Sequence, residues 1–146
     1  MLTKQTFLTY IEIPQGGGQR QRLHETMPAA YAGNINNVPA FGYVAYGCLP
    51  KIINPADNCE ADVFILDADA FKTASYIQTR IIGMHIRNNG DHKLLAVLPE
   101  SELKDIKDVN PTVLEKVGAF VDPAQRPGEF WASANTAHLW LQSLER

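Results

Sequence analysis

Hydrophobic and polar positions predict a series of short strands in the first part of the chain. Residues 6–13 (TFLTYIEI) are rich in β-branched and aromatic side chains and end at Pro14, which indicates a strand. Residues 19–25 follow three glycines and are typical of the return strand of a hairpin, and residues 41–49 are typical of extended structure with bends. Residues 62–66 (DVFIL) form a short apolar run, which predicts a strand buried on both faces.

Turn-forming residues separate these strands. Residues 27–40 and 51–61 are rich in small, polar and proline residues, and we expect both segments to be loops. Residues 79–87 and 92–98 are two further apolar strands, joined across an Asn-Asn-Gly-Asp sequence at 88–91. Asn-Gly between two such runs predicts a hairpin with a type I′ turn, which needs a positive φ at both central residues.

Two helices are predicted near the end of the chain. Asn110 followed by Pro111 fits a helix cap and a first helical position, so residues 111–120 are predicted to be helical. Residues 133–144 carry apolar side chains three and four positions apart, which is typical of an amphipathic helix. We therefore expect one domain over residues 1–146, of the mainly β class with flanking helices (α+β), in which helices pack outside a small β-barrel.

The composition argues against some classes of function but does not identify one. Of 146 residues, 45% are hydrophobic and 20% charged, and 13 basic against 16 acidic residues give a net charge of −3. General nucleic-acid binding is not expected, because it depends on an excess of basic residues. No apolar run is long enough to span a bilayer, so no membrane partner is expected. Two cysteines, Cys48 and Cys59, without metal-binding spacing indicate reduced thiols and a cytoplasmic protein.

Acidic residues are concentrated before one predicted strand. Asp57, Glu60 and Asp62 lie in a loop that leads directly into the apolar run. Clustered carboxylate oxygens without histidine or cysteine at ligand spacing suit Mg²⁺ or Mn²⁺ better than zinc. A solvated turn with a capping aspartate explains the same residues, so these residues alone leave both interpretations open. Glu12 lies within an apolar run, where a buried carboxylate needs a cation or a metal as partner.

The chain resembles the family I soluble inorganic pyrophosphatases over about four-fifths of its length. The acidic segment is similar to that family's D-x-D-P-x-D-V signature, with Asp57 and Asp62 at its outer positions. The remaining similar segments follow in the family's order: residues 11–14 (IEIP), 46–50 (YGCLP), 83–84 (GM), 91–97 (DHKLLAV), 106–110 (IKDVN) and 128–131 (GEFW). The resemblance implies an OB-like five-stranded barrel and, for prokaryotic members, a homo-oligomer, usually a hexamer.

The resemblance also implies the chemistry and the residues that perform it. Members of the family hydrolyse diphosphate with metal-activated water in a cavity lined by carboxylates. By position, the metal ligands, for Mg²⁺ or Mn²⁺, would be Asp57, Asp62, Asp91 and Glu12. The substrate-binding residues would be Arg20, Tyr46 and Lys93, and the catalytic residues would be Tyr46, Glu60 and Lys93.

Several positions depart from the family pattern. Cys59 replaces the middle aspartate, which serves the family as the base, and Glu60 stands where a proline is expected. Ile86 replaces a metal-binding acid, and Arg22 replaces a common glutamate. A phosphate-binding arginine is missing from residues 33–36, Gly42 stands at a tyrosine position, and residues 121–122 (VD) fall where the family has Tyr-Lys.

These departures affect both the metal sites and the phosphate contacts. We therefore expect an enzyme, a diphosphate hydrolase of weak or altered activity. The alternative is a catalytically impaired homologue that acts as a metal- or phosphate-binding or interaction protein.

Overall fold

The structure is a computed structural model that describes residues 5–23, 34–35 and 38–144. Its strands are β1 (Thr6–Ile13), β2 (Gly18–Gln19), β3 (Asn34–Ile35), β4 (Val44–Asn54), β5 (Cys59–Leu66), β6 (Tyr76–Ile86), β7 (Lys93–Val97) and β8 (Phe130–Ser133). Its α-helices are α1 (Pro111–Val121) and α2 (Ala134–Leu144). Short 3₁₀ helices cover Pro39–Gly42 and Ile106–Asp108.

Five strands close into a barrel, as the sequence predicted. They follow one another in the order β1, β4, β5, β7 and β6, and β6 pairs with β1 to complete the ring. β5 and β7 run parallel, and the other neighbouring pairs in the ring are antiparallel. β8 extends the sheet by pairing with the free part of β6. The parallel pair brings the starts of β5 and β7 to the same end of the barrel.

The barrel strands contribute side chains to two hydrophobic clusters because their side chains alternate between two faces. In β5, Val63 belongs to a cluster that includes Ala137 of α2. Its neighbour Phe64 belongs to a second cluster, which includes Val117 of α1. Both residues of β5 are fully buried, so this strand is covered on both faces, as its continuous apolar sequence predicted.

The two helices start close to the positions expected from the sequence. The side chain of Asn110 accepts a hydrogen bond from the backbone amide of Thr112 at 2.9 Å, and Pro111 occupies the first turn. α2 begins at Ala134, one residue after the predicted start. Neither helix, at 11 residues each, has the length of a membrane span, and no other described helix does.

Three predictions of local structure were wrong, and one strand was not predicted. Residues 51–54 and 59–61, expected to be loop, belong to β4 and β5, and a tight turn of four residues joins the two strands. Of residues 19–25, only residue 19 lies in a strand, residues 20–23 do not, and 24–25 lie outside the described part of the chain. Residues 130–133, not predicted to be extended, form β8. Most of the predicted loop 27–40 also lies outside the described residues.

The third wrong prediction concerns the hairpin of β6 and β7. These strands do pair in antiparallel fashion, but six residues connect them instead of a two-residue turn. Gly90 has a φ of 80°, whereas the φ of Asn89 is not positive, so the turn is not of type I′. The longer connection carries Asp91 at the start of β7.

Candidate metal and phosphate site

Three aspartates from separate parts of the chain converge at one end of the barrel. Asp57 lies in the turn before β5, Asp62 lies within β5, and Asp91 lies two residues before Lys93, the first residue of β7. One carboxylate oxygen from each lies within 4.8 Å of the other two. The parallel register, which places Asp62 beside Lys93, explains why Asp91 reaches the same place.

The turn that presents Asp57 is stabilised locally. Its carboxylate accepts a hydrogen bond from the backbone amide of Cys59 at 3.0 Å, which is typical of an aspartate in a turn. Asn58 between them adopts the left-handed conformation with a φ of 59°, which asparagine tolerates better than most residues. The exposed Asp57 carboxylate is thereby held next to the start of β5.

Lys93 lies between two of these carboxylates. Its ammonium is 2.5 Å from Asp62 Oδ2 and 3.1 Å from Asp91 Oδ2. Burial raises the pKa of Asp62 above its ordinary value, although the charge of Lys93 and its hydrogen bond oppose that shift. This contact was not predicted from the sequence. Asp91 and Lys93 lie two residues apart in the sequence, the spacing at which extended residues share a face, and that spacing was the available signal.

Tyr46 approaches the cluster from β4. It lies opposite Phe64, so Asp62 is its diagonal neighbour two residues away on β5. The Tyr46 hydroxyl hydrogen-bonds the Asp62 carboxylate. Burial, followed by the negative charges of Asp62 and Glu12, raises the pKa of Tyr46 well above its ordinary value. Tyr46 therefore stays protonated at neutral pH and acts as a hydrogen-bond donor.

Glu12 is partnered by an arginine and is not part of the aspartate cluster. The Nε and Nη2 atoms of Arg20 lie 3.2 and 3.1 Å from Glu12 Oε1. Burial raises the pKa of Glu12, and the Arg20 guanidinium opposes that shift. The guanidinium also lies over the Tyr46 ring, with its carbon 5.9 Å from the ring centroid. Arg20 thus links Glu12 to Tyr46.

A cavity of about 150 Å³ lies beside the aspartate cluster. Its lining includes carboxylates, a guanidinium and both cysteines of the chain, contributed by Glu12, Arg22, Cys48, Cys59, Glu60 and Asp62. Cys48 lies directly opposite Asp62 on the neighbouring strand. The sequence interpretation did not place Cys48 here, although it lies two residues beyond Tyr46 on the same strand face.

Cys59 stands at the middle position of the segment that is similar to the acidic signature, and its side chain lines this cavity. Partial desolvation and the negative charges of Asp57 and Glu60 raise the pKa of its thiol. The thiol is therefore neutral at pH 7 and does not replace a carboxylate as a base. Glu60, its neighbour, lines the same cavity. Ile86 ends β6 and offers no oxygen, and residues 33 and 36 lie outside the described part of the chain.

Two of three comparisons with known proteins found inorganic pyrophosphatases to be similar to this chain. A model of the family described as inorganic pyrophosphatase matches residues 9–137. The inorganic pyrophosphatase of Ehrlichia chaffeensis is similar in structure, with 19% identity, a TM-score of 0.73, and coverage of 95% of this chain and 92% of that one. The enzyme of Helicobacter pylori has 20% identity and a TM-score of 0.69 over 99% and 94% of the two chains. A comparison with curated proteins found no match.

Proposed function

This chain belongs to the inorganic pyrophosphatase family, and from that premise we propose that it hydrolyses diphosphate to two phosphates with the help of a divalent cation. The observation that supports the proposal is the convergence of Asp57, Asp62 and Asp91 from three separate segments. An acidic turn explains Asp57 alone, but it does not explain the approach of Asp91 from another part of the chain.

The chemistry of the cluster fits Mg²⁺ or Mn²⁺. Three aspartates and Lys93 together leave two negative charges without compensation, which a divalent cation matches. All the donors are carboxylate oxygens, the ligands that these hard cations prefer. We assign Asp57, Asp62 and Asp91 as ligands, with Glu12 beside them in the adjoining cavity. A bound cation lowers the pKa of water and offsets charge on the phosphate oxygens.

Three side chains of this chain supply contacts for a diphosphate. Lys93 and Arg20 carry positive charges next to the cluster, and both are hydrogen-bonded to carboxylates. The Tyr46 hydroxyl donates a neutral hydrogen bond in the same region. Arg20 adds a planar guanidinium that suits two phosphate oxygens at once. We propose that these three residues bind and orient the substrate.

Proton removal from the attacking water is the step for which the chain is least well equipped. Cys59 is a neutral thiol, so we assign the role of base to its neighbour Glu60, whose side chain lines the same cavity. Misplacement of a catalytic group by about 1 Å costs about 10²-fold in rate. We therefore propose slow hydrolysis relative to family members that have an aspartate at this position. A metal- and phosphate-binding protein without turnover is the second candidate, favoured by the loss of carboxylates at Cys59 and Ile86.

We also propose a cytoplasmic homo-oligomer, a hexamer by resemblance to prokaryotic members of the family. Analytical ultracentrifugation measures the mass in solution, and a monomer at micromolar concentration would contradict this part of the proposal.

A phosphate-release assay tests the proposed reaction. Diphosphate is supplied with Mg²⁺ or with Mn²⁺, and the Asp62→Asn variant is compared with Asp69→Asn, an exposed aspartate beyond the end of β5. Asp62→Asn should lose about 10²–10³-fold in rate, whereas Asp69→Asn should not change it. Equal rates for Asp62→Asn and the unaltered protein would contradict the site. Metal binding without phosphate release would favour the second candidate.

A further inference from the structure

Asn54, the last residue of β4, is a buried polar residue that is not among the proposed ligands. Its side chain is only 3% exposed, although two surface segments adjoin it. The first segment is the turn at residues 55–58, which carries Asp57, and the second is the connection at residues 87–92, which carries Asp91. A buried asparagine needs hydrogen-bond partners for both its oxygen and its nitrogen.

The oxygen of the Asn54 side chain faces the turn that carries Asp57. Asn54 Oδ1 accepts a hydrogen bond from the backbone amide of Ala56 at 3.0 Å. The backbone carbonyl of Asn54 accepts a second one from the amide of Asn58 at 2.8 Å. Because these two amides lie on either side of Asp57 in the sequence, Asn54 fixes the backbone from which the Asp57 carboxylate projects.

The nitrogen of the same side chain faces the connection that carries Asp91. Asn54 Nδ2 donates to the carbonyl of Gly90 at 3.1 Å, and Gly90 directly precedes Asp91. The two segments approach each other closely here, because a methyl group at Gly90 would lie 3.2 Å from the Cβ atom of Ala56. The single amide group of Asn54 therefore bonds to both segments, with its oxygen on one and its nitrogen on the other.

This link is the direct one between the two segments. Within the described residues, no other hydrogen bond joins residues 54–58 to residues 87–92. The amide of Asn88 donates to Glu129 Oε2 at 3.2 Å, and the side-chain nitrogen of Asn88 donates to the carbonyl of Pro127 at 3.2 Å. Those bonds hold the connection against the segment between α1 and β8, which carries none of the three aspartates.

The link opposes electrostatic repulsion between the aspartates. Carboxylate oxygens of Asp57 and Asp91 lie within 4.8 Å of each other, and like charges at this separation repel. Lys93 compensates Asp91 at 3.1 Å, whereas Asp57 has no ion pair with any described residue. The backbone must therefore hold Asp57 in place. Ligands that are already held in position bind an ion more tightly than ligands that must first be brought together.

We propose that Asn54 is a positioning residue for the cation site, and that it holds Asp57 and Asp91 at the separation that a divalent cation requires. The inference rests on the proposed function in one respect, that the three aspartates are the ligands of the cation, and it does not depend on turnover. Residues that orient metal ligands contribute about 10–100-fold to metal affinity. Loss of the bond to Gly90 should therefore weaken the cation site while the barrel stays folded.

Asn54→Ser separates the two halves of this link. A serine hydroxyl accepts a bond from an amide two residues on, as in other serine turns, but it is too short to reach the Gly90 carbonyl. Calorimetric titration of the metal-free protein with Mn²⁺ measures the Kd. We expect a Kd that is about tenfold higher, or more, for Asn54→Ser than for the unaltered protein.

Asn110→Ala is the matched control for a loss of stability alone. It removes another asparagine oxygen that accepts a backbone amide, that of Thr112 at the start of α1, away from the aspartates. This variant should lower the Tm, because a helix cap is lost, and should leave the Kd for Mn²⁺ unchanged.

NMR of the unaltered, metal-free protein provides a measurement that needs no variant. The Nδ2 hydrogens of Asn54 should exchange with solvent much more slowly than those of the exposed Asn58, because the bond to Gly90 exists before a cation binds. Addition of Mg²⁺ should change the exchange rate at Asn54 little. If Asn54→Ser does not fold, this measurement decides.

Two results would overturn the role of Asn54 alone. The first is a Kd for Mn²⁺ that is unchanged in folded Asn54→Ser, or that rises equally in Asn110→Ala. The second is exchange at Asn54 that is as fast as at Asn58 until Mg²⁺ is added. Equal Mn²⁺ binding by Asp62→Asn and the unaltered protein would overturn the cation site and this inference with it. Mn²⁺ binding without phosphate release would contradict only the proposed hydrolysis.

Discussion

Cys59 is the residue at which the chemistry of this chain departs most clearly from the pattern of its family. Its thiol is neutral at pH 7, and it lies beside Glu60 at the edge of the cavity. A carboxylate at position 59 would follow Asp57 by two residues, the spacing of the family signature. The other side chains that we propose for the site, the three aspartates with Lys93, Tyr46 and Arg20, lie near one another in the structure. The cavity is therefore expected to respond to a single substitution.

Cys59→Asp should raise the rate of diphosphate hydrolysis by about 10²-fold, the lower end of what a positioned general base contributes. Cys59→Asn is the matched control, because it has the same shape as aspartate but cannot accept the proton. Phosphate release with Mg²⁺ measures both variants. An equal effect of both substitutions, or no effect of either, would show that a base at this position does not limit the reaction.

Sequence reasoning about single residues succeeded where a residue's structural role depends only on its neighbours in the chain. Asn110 and Pro111 act on their own helix, so local sequence is sufficient to identify them. Asp57 and Asp62 belong to one short segment, but only the family resemblance favoured a metal site there over a solvated turn. The approach of Asp91 to Asp57 and Asp62 was predicted through the family resemblance, whereas two other contacts between distant residues were not predicted. The pairing of Arg20 with Glu12 and of Lys93 with Asp62 depends on strand register, which no single segment determines.

Among the secondary-structure elements, β1 and β4 approach each other more closely than a side chain allows. Gly47 of β4 lies opposite Ile11, and a methyl group at Gly47 would lie 1.8 Å from the carbonyl oxygen of Tyr10. Glycine is therefore needed at this position to bring Tyr46 of β4 next to Glu12 of β1. This close approach holds one wall of the site in place.

Gly47→Ala should reduce the free energy of unfolding by about 3 kcal/mol or more, because the clash is with backbone and neither strand can yield locally. Gly42→Ala is the control, since a methyl group there meets nothing within 4 Å. Urea unfolding followed by circular dichroism measures both variants. Similar midpoints for the two variants would contradict the close approach of β1 and β4.

His138 joins α2 to the barrel. Its Nε2 atom lies 3.1 Å from the carbonyl oxygen of Ile81 on β6, and the side chain is almost fully buried. Burial lowers the pKa of His138, and the hydrogen bond to Ile81 only partly opposes that effect. The unfolded chain therefore takes up this proton more readily than the folded one.

Stability that comes from the neutral His138 should be present above pH 6.5, the ordinary value, and should be lost as pH falls through the lower folded pKa. His138→Gln should cost about 1–2 kcal/mol at pH 7.5 and clearly less at pH 5.5, because glutamine does not titrate. Urea unfolding at both pH values measures the difference. A cost that is the same at both would contradict the effect of burial.

The elements themselves were predicted well where they are long and regular, and poorly at their connections. The strand at residues 6–13 and both helices have strong local patterns. Residues 51–54 were taken for loop because Pro55 and polar residues follow closely, but pairing with β5 extends the strand to Asn54. Residues 130–133 became β8 only because the edge of β6 was available. Tertiary pairing overrides weak local preference in such segments.

The barrel as a unit should gain stability from a divalent cation. Asp57, Asp62 and Asp91 come from a turn, a strand and the connection before another strand, so unfolding separates these proposed ligands. A ligand that binds only the folded state adds about 2.7 kcal/mol at 100 times its Kd. A bound cation would also remove the repulsion between these three carboxylates.

MgCl₂ or MnCl₂ in excess over a chelator should therefore raise the Tm by several degrees. Asp62→Asn should lose this increase, and Asp69→Asn should keep it. Differential scanning calorimetry measures all three proteins. A Tm that does not depend on the cation, or that rises equally in Asp62→Asn, would contradict a structural link between the ligands and the fold.

By itself, the sequence determined the class of fold, the two helices and the family, because alternation, capping residues and short acidic motifs act over a few neighbouring positions. It also determined which residues were available for chemistry. Only the tertiary structure decided that β5 runs parallel to β7, which brings Asp91 to Asp62 and places Lys93 between them. Packing of distant segments determines such contacts, and no local pattern in the chain encodes it.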